Sequence, residues 1–299
     1  MQVLNLVLTG GEPLAHPDFL RLGRRARELG FVLRIKSNGH ALRGALARRI
    51  KEEIDPFVVE LSLHGARAET HERQTRVPGS FERLLANIRE MLALGFRLKL
   101  NSTLTAWNEG EIEEMHALAD ALGVRLNIGS EVSPRDDGDR NPLAISASPE
   151  GLRRLFELQL ARARRTGAPV AAAQPSPVFE RDADEGLPLA PDKHCGAGSS
   201  TITVDPYGNV YPCVQWRRAV GNLQERSIKE IWAGSAALED VRRLTADAKK
   251  LVDGLGERGP LLSFCPGAAA VSAGSPVKLY PAAVKRMQIR QRVEGGRSG

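Results

Sequence analysis

The sequence predicts an α/β fold: a partial or complete β/α barrel followed by a smaller C-terminal unit. Short apolar runs alternate with amphipathic stretches over residues 3–132. A stretch rich in Ala, Pro and Gly interrupts the chain at 166–193. All three cysteines, Cys195, Cys213 and Cys265, lie beyond it. Alternating strand and helix patterns imply a parallel sheet with right-handed crossovers, and a β/α barrel is its natural closure.

The elements follow in order. Residues 3–8 form a short apolar run ending in Thr-Gly-Gly, the pattern of a buried strand. A helix begins at Pro17 and stops at Gly30. The second strand is 31–39, and a helix covers 43–54. The third strand is 56–65, with a helix from Ser80 to Gly95. The fourth strand is 96–105, with a helix opening after Asn108. The fifth strand is 124–132, and the last helix of this half covers 148–165. Beyond the Ala/Pro/Gly stretch, residues 200–204 and the run after Asn209 flank the turn Asp-Pro-Tyr-Gly-Asn, a hairpin signature. The boundaries are therefore a barrel at 1–165, a linker at 166–193, a cysteine-bearing domain at 194–282 and a basic tail at 283–299, read as a frayed helix or disordered.

Composition narrows the function. A chain of 299 residues suits two domains, or one barrel with an appendage. With 42% hydrophobic residues and a mean hydropathy of −0.26, it is globular rather than disordered. No apolar run reaches the length of a membrane span, and no basic leader precedes an apolar stretch and cleavage site. Three cysteines are too few for a disulfide framework. The expected compartment is a reducing cytoplasm, where clustered thiols more often bind metal. The net charge of +6 is compatible with an acidic partner. Its simpler reading is arginine covering helix faces, as in residues 151–165. Aromatic residues make up only 5%, too few for nucleic-acid stacking platforms, so neither nucleic acid nor membrane is expected as a partner.

Leu-Thr-Gly-Gly-Glu-Pro (8–13) lies at a strand end, where β/α barrels carry their chemistry. Gly10 and Gly11 let backbone groups approach a ligand closely, and Glu12 can meet an ammonium. Taken alone, such a segment is a tight turn. Its context is specific: Ser-Asn-Gly at 37–39, Ser-Leu-His-Gly at 62–65, His71, Pro-Gly-Ser-Phe at 78–81, Asn101, Thr-Leu-Thr at 103–105, Asn108, and Pro-Arg-Asp-Asp-Gly at 134–138. In register over 1–165, these segments resemble the radical SAM superfamily, and peptide maturases in particular. Gly10, Gly11 and Glu12 match the motif that contacts the amino group of S-adenosylmethionine (SAM). Ser62 and Asn101 fall where ribose or carboxylate contacts occur.

In the second half, Cys195-Gly-Ala-Gly, Gly208 with four residues between it and Cys213, Gly-Asn-Leu at 221–223, Ser-Ile-Lys-Glu-Ile-Trp at 227–232 and Phe-Cys-Pro-Gly at 264–267 resemble the SPASM/twitch extension. The hairpin would return Cys213 to a position opposite Thr201, a short loop from Cys195. The resemblance implies one auxiliary [4Fe–4S] cluster on Cys195, Cys213 and Cys265, with a fourth position open, since thiolates anchor such clusters. Two alternatives stay open. One is three buried small hydrophobes. The other is a zinc site in which His194 joins the thiolates, although adjacent residues rarely reach one tetrahedral metal together.

The resemblance further implies SAM as cofactor, hydrogen abstraction from a peptide or small protein substrate, and an electron donor such as a flavodoxin or ferredoxin. The Cys-xxx-Cys-xx-Cys loop of the SAM-cleaving [4Fe–4S] cluster is not among these residues. The expectation is therefore a barrel without its first strand and a chain that does not itself cleave SAM, through either a displaced start or descent to a non-catalytic iron–sulfur or zinc-binding, peptide-binding module. His64 stands where the family has Asp and reads as hydrogen-bonded scaffolding first, and as a proton-transfer group or metal ligand second. A barrel enzyme using Glu12 and His64 as acid and base is the remote alternative. His71 reads as a helix-start contact, and His16, His40 and His116 as surface or capping residues.

Overall fold

The computed structural model describes residues 3–135, 137–166 and 192–295. The chain divides into two compact units, Met1–Gly129 and Ser130–Gly299.

The first unit is a five-stranded sheet, β1 (Asn5–Leu8), β2 (Val32–Ser37), β3 (Val58–Ser62), β4 (Leu98–Thr103) and β5 (Arg125–Gly129), in that spatial order and all parallel. The crossovers contain α1 (Phe19–Glu28), α2 (Gly44–Glu53), α3 (Ala68–Thr75), α4 (Ser80–Ala93) and α5 (Ile112–Ala121). In a sequentially ordered parallel sheet, right-handed crossovers put every helix on one face. Leu33, Ile35, Val59, Leu61, Leu100 and Ile128 are buried there, with Leu61 close to Leu84 of α4 beside Gly39. Side chains alternate along a strand. The intervening positions, Arg34, Lys36, Glu60, Ser62, Lys99, Asn101, Arg125 and Asn127, therefore share the other face, which is polar. α3 is an element the sequence reading left out. Its residues, AETHERQT, are mostly polar, and it ends on Arg76 at φ +58°.

The second unit opens with α6 (Pro149–Thr166). After residues 167–191, which lie outside the described residues and include nearly all of the expected linker, comes a small antiparallel sheet of β6 (Thr203–Val204), β7 (Asn209–Tyr211) and β8 (Gly221–Asn222). Helices α7 (Ile228–Gly234), α8 (Ala236–Asp253), α9 (Pro266–Ala273) and α10 (Pro281–Gly295) complete it. One apolar cluster joins Val210, Trp216, Val220, Ile231, Leu238 and Val241. Another joins Leu262, Phe264, Cys265, Tyr280, Ala283 and Met287.

The tail expectation is corrected here. Residues 281–295 are a packed helix that buries Ala283, Arg286, Met287, Ile289 and Val293, and residues 296–299 lie outside the described residues. An anchor distant in sequence explains the packing. The Arg286 guanidinium, 3% exposed, donates to the Glu131 carboxylate at 2.7 Å, and the Tyr280 hydroxyl donates to the same oxygen at 3.2 Å. Burial pushes the Glu131 carboxyl up, against the pull of Arg286. Removing one partner of a buried ion pair strands the other charge. Glu131→Ala is expected to lower unfolding stability by about 3 kcal/mol. A urea titration checks it, and a loss below about 1 kcal/mol would contradict the anchor.

Candidate functional site

The segments that follow β1 and β2 meet at Glu12. Its Oε1 accepts the Leu14 N–H at 3.1 Å and the Ser37 hydroxyl at 2.9 Å, while Oε2 accepts the Asn38 N–H at 2.8 Å. The carboxylate thus ties the loop after β1 to the Ser-Asn-Gly loop after β2. Three bonds leave it lone-pair capacity for one more donor. Beside it, Gly10 sits at φ +135°, and a Cβ there or on Gly11 would meet nothing within 4 Å. The backbone here faces open space, as close approach by a ligand requires.

Ser62 and Asn101 are register neighbours at the ends of β3 and β4, followed by Asn127 on β5. Asn101 Nδ2 donates to Glu60 at 2.8 Å. Asn108 joins the same strand ends, donating through Nδ2 to the carbonyls of His64 at 3.1 Å and Thr103 at 3.0 Å.

The histidines divide. The backbone N–H of His64 donates to His71 Nδ1 at 3.2 Å, and their rings lie 5.5 Å apart. Burial depresses His64 and pushes His71 down to about 4. His71 lies inside α3, 1% exposed, rather than at a helix start. His116 is also buried, on α5, rather than at the surface. His71 packs as a neutral ring inside the unit. Unfolded His71 would titrate near 6.5. Between that value and about 4 the unfolded chain binds more protons, so stability falls as the pH falls through this window. His71→Asn is expected to flatten that part of the stability–pH curve, read by thermal unfolding at pH 7 and pH 4.5 (about the window's ends). An unchanged slope would contradict the assignment.

The second unit brings the three thiols together. The β6–β7 pairing of Thr203 with Tyr211, continued by the Thr201 hydroxyl donating to the Pro212 carbonyl at 3.2 Å, sets Cys213 opposite Thr201. Asp205 holds the turn by accepting the N–H groups of Tyr207 and Asn209, each at 2.9 Å. The Gly198 N–H also donates to the Pro212 carbonyl at 3.2 Å, drawing the Cys195 loop to the hairpin. His194 Nε2 lies 2.9 Å from the Phe264 carbonyl, and their rings meet edge to face. This bond joins the residue before Cys195 to the residue before Cys265, so His194 serves as a clamp between two cysteine-bearing segments. Gly267 completes the approach: a Cβ there would lie 2.7 Å from the Gln215 carbonyl oxygen.

Burial pushes Cys195 and Cys213 up to about 11 and Cys265 up to about 12. Each thiol also raises another: Cys265 acts on Cys195, Cys195 on Cys213, and Cys213 on Cys265. Ionising one of these thiols therefore makes it harder to ionise another. Backbone N–H groups of Ala197, Gln215, Trp216, Gly267 and Ala268 pull the other way, toward thiolate. Cys265 also caps α9, accepting the Ala268 N–H at 3.5 Å. This donor set fits an iron–sulfur cluster, which is anchored by thiolates and tuned by hydrogen bonds to sulfur. Among the described residues, no three His, Cys, Asp or Glu side chains converge closely enough to hold a single metal ion. A cluster spreads its ligands around a volume, and the fit holds in that sense. Gly267→Ala is expected to cost about 1–3 kcal/mol and to lower iron uptake by shifting the Cys213 loop. Wild-type stability and uptake together would contradict this.

The polar layer beneath Ser62 and Asn101, containing Lys36 and Glu60, was missed in the sequence. Its signal was present as charged residues inside otherwise apolar strands.

Comparison with known proteins accords with both halves. Residues 1–119 match the model of the radical SAM superfamily, and residues 195–253 match that of SPASM, an iron–sulfur cluster-binding domain. The chain is 27% identical to an AdoMet-dependent heme synthase of Methanosarcina barkeri over 79% of its own length and 70% of the relative's. It is 27% identical to a mycofactocin maturase of Mycobacterium ulcerans over 81% of its own length and 65% of the relative's. It thus spans about two thirds of these curated relatives. The solved structure of native anSMEcpe with bound AdoMet superposes with a TM-score of 0.70 at 15% identity, covering 99% of this chain and 84% of that one, which shows the fold. No helix among the described residues is long and apolar enough to cross a membrane.

Proposed function

We infer that this chain, which carries a radical SAM domain over residues 1–119 and a SPASM domain over 195–253, belongs to an enzyme that modifies a peptide or small protein by SAM-dependent radical chemistry. The observation that carries this is the set of three largely desolvated thiols at the loop before the SPASM hairpin, the hairpin's return strand and the start of α9. Similarity to a mycofactocin maturase supports a peptide substrate. When bound and reductively cleaved, SAM supplies the radical that takes a hydrogen atom from the substrate, and the cofactor carries that chemistry.

The chain's own residues bind and orient. Gly10 and Gly11 offer unobstructed backbone, and Glu12 presents a preorganised carboxylate for the SAM ammonium. Ser62 and the Asn101 amide oxygen stand at the neighbouring strand ends for ribose or carboxylate. Cys195, Cys213 and Cys265 would hold one auxiliary cluster, fixed by the His194 clamp and backbone N–H groups, and a fourth position remains for substrate or another donor. A Cys-xxx-Cys-xx-Cys loop for the SAM-cleaving cluster is not among residues 1–299. A flavodoxin-like or ferredoxin-like electron donor and a cytoplasmic setting belong to the same proposal.

Anaerobic reconstitution of the full chain with iron and sulfide tests the reading. The expected result is a brown chain whose visible absorption is lost in Cys195→Ala, Cys213→Ala and Cys265→Ala alike. Stoichiometric zinc without visible absorption would overturn it.

A further inference from the structure

Resting on the reading above, we propose that Glu131 tunes the auxiliary iron–sulfur centre: its buried carboxylate, held by Arg286 and Tyr280 beside the segment that carries Cys265, lowers the reduction potential of a centre bound there. Arg286 Nη2 meets Glu131 at 2.7 Å and also donates to the Ser263 carbonyl at 3.3 Å, two residues before Cys265. The Tyr280 hydroxyl donates to the same carboxylate oxygen, and its ring packs against Phe264 with centroids 5.9 Å apart. Phe264, Cys265 and Tyr280 share one apolar cluster. A further bond, from Arg290 to the Ser263 hydroxyl at 2.7 Å, ties α10 to this segment. The carboxylate is thus built into the packing around one of the three thiols.

Stability does not account for the pair. The side chains of Glu131 and Arg286 are 5% and 3% exposed. A buried ion pair contributes little over apolar side chains of similar volume, because desolvation offsets the attraction. Its electrostatic reach is a separate matter. Charges withdrawn from solvent are poorly screened, and the effective dielectric around them is low. Of the pair, the carboxylate is felt more strongly at Cys265, where it pushes the thiol up. Cys265 in turn is among the groups that push Tyr280 up. The same field acts on any centre that Cys265 holds. Reduction adds one electron, supplied by a low-potential one-electron donor, and no bond forms or breaks. A fixed negative charge opposes that electron, so the carboxylate favours the oxidised state. Net charge around an iron–sulfur cluster is one of the levers that set its potential.

A redox titration of the anaerobically reconstituted full chain tests this, with dithionite as reductant and the electron paramagnetic resonance signal of the reduced centre as the readout. Glu131→Gln keeps the shape and removes the charge. It is expected to raise the midpoint potential by about 59 mV, a tenfold shift in the reduced-to-oxidised ratio for one electron. Glu131→Gln combined with Arg286→Met removes both charges without stranding either, so it guards against a single variant that fails to fold. It should raise the midpoint by about 28 mV, a threefold shift. Glu131→Asp keeps the charge and should hold the wild-type midpoint even where it loses stability in urea. Unchanged midpoints in both neutral variants would overturn the proposal. A shift in Glu131→Asp as large as that in Glu131→Gln would also overturn it, by assigning Glu131 a structural role. Loss of iron from Glu131→Gln but not from Glu131→Asp would overturn it too, by making the carboxylate a ligand. A wild-type chain that forms no cluster defeats the functional reading, whereas a loaded chain whose midpoint no variant moves defeats this proposal alone.

Discussion

Surroundings that oppose ionisation of three thiols, while backbone N–H groups favour it, are the constraint on which the C-terminal unit depends. A thiolate withdrawn from water is costly, and a second or third beside it is costlier. Apolar packing alone gives no reason to gather Cys195, Cys213 and Cys265 from three separate segments. The unit nevertheless spends several devices on doing so: the hairpin turn held by Asp205, the hydrogen bond from His194 to the segment before Cys265, and the close approach at Gly267. Backbone N–H groups near all three sulfurs favour the anionic form that the surroundings oppose. The conflict resolves when a cationic centre neutralises the thiolates, because metal binding couples ligand deprotonation to folding.

In the N-terminal unit a different economy applies. The helix-covered face of the sheet is mostly apolar, while the opposite face places charge in register. Parallel sheets normally bury both faces. A polar row through the middle of such a sheet weakens the local core, and its charges persist because Glu60 bridges Arg34, Lys36 and Asn101. Toward the strand ends, hydrogen bonds from Ser37 and Asn38 fix Glu12, and Asn108 joins the ends of β3 and β4. Groups that a ligand would meet are thereby locked before it arrives, which is what preorganisation requires.

Much of this was legible in the sequence, for physical reasons. All five strands and their flanking helices are short-range patterns with glycine or proline punctuation, and each structural element falls within or close to its expected span. The opposition of Cys213 and Thr201 followed from counting outward from the turn at Gly208. What escaped depends on distance or context. Helix α10 looked like a basic tail because its buried Arg286 is paired with Glu131, 155 residues away. Helix α3 is short and polar, and its burial is confined to His71. The layer around Glu60 emerges only when strand register is known, since the same residues read one strand at a time are isolated charges.

The central claim is that the three thiols enclose a multi-iron centre. Iron X-ray absorption on the anaerobically loaded full chain tests it most directly. The account requires a first coordination shell made predominantly of sulfur, with iron–iron scattering beyond it. Isolated iron bound by nitrogen and oxygen, with no neighbouring iron, would contradict it.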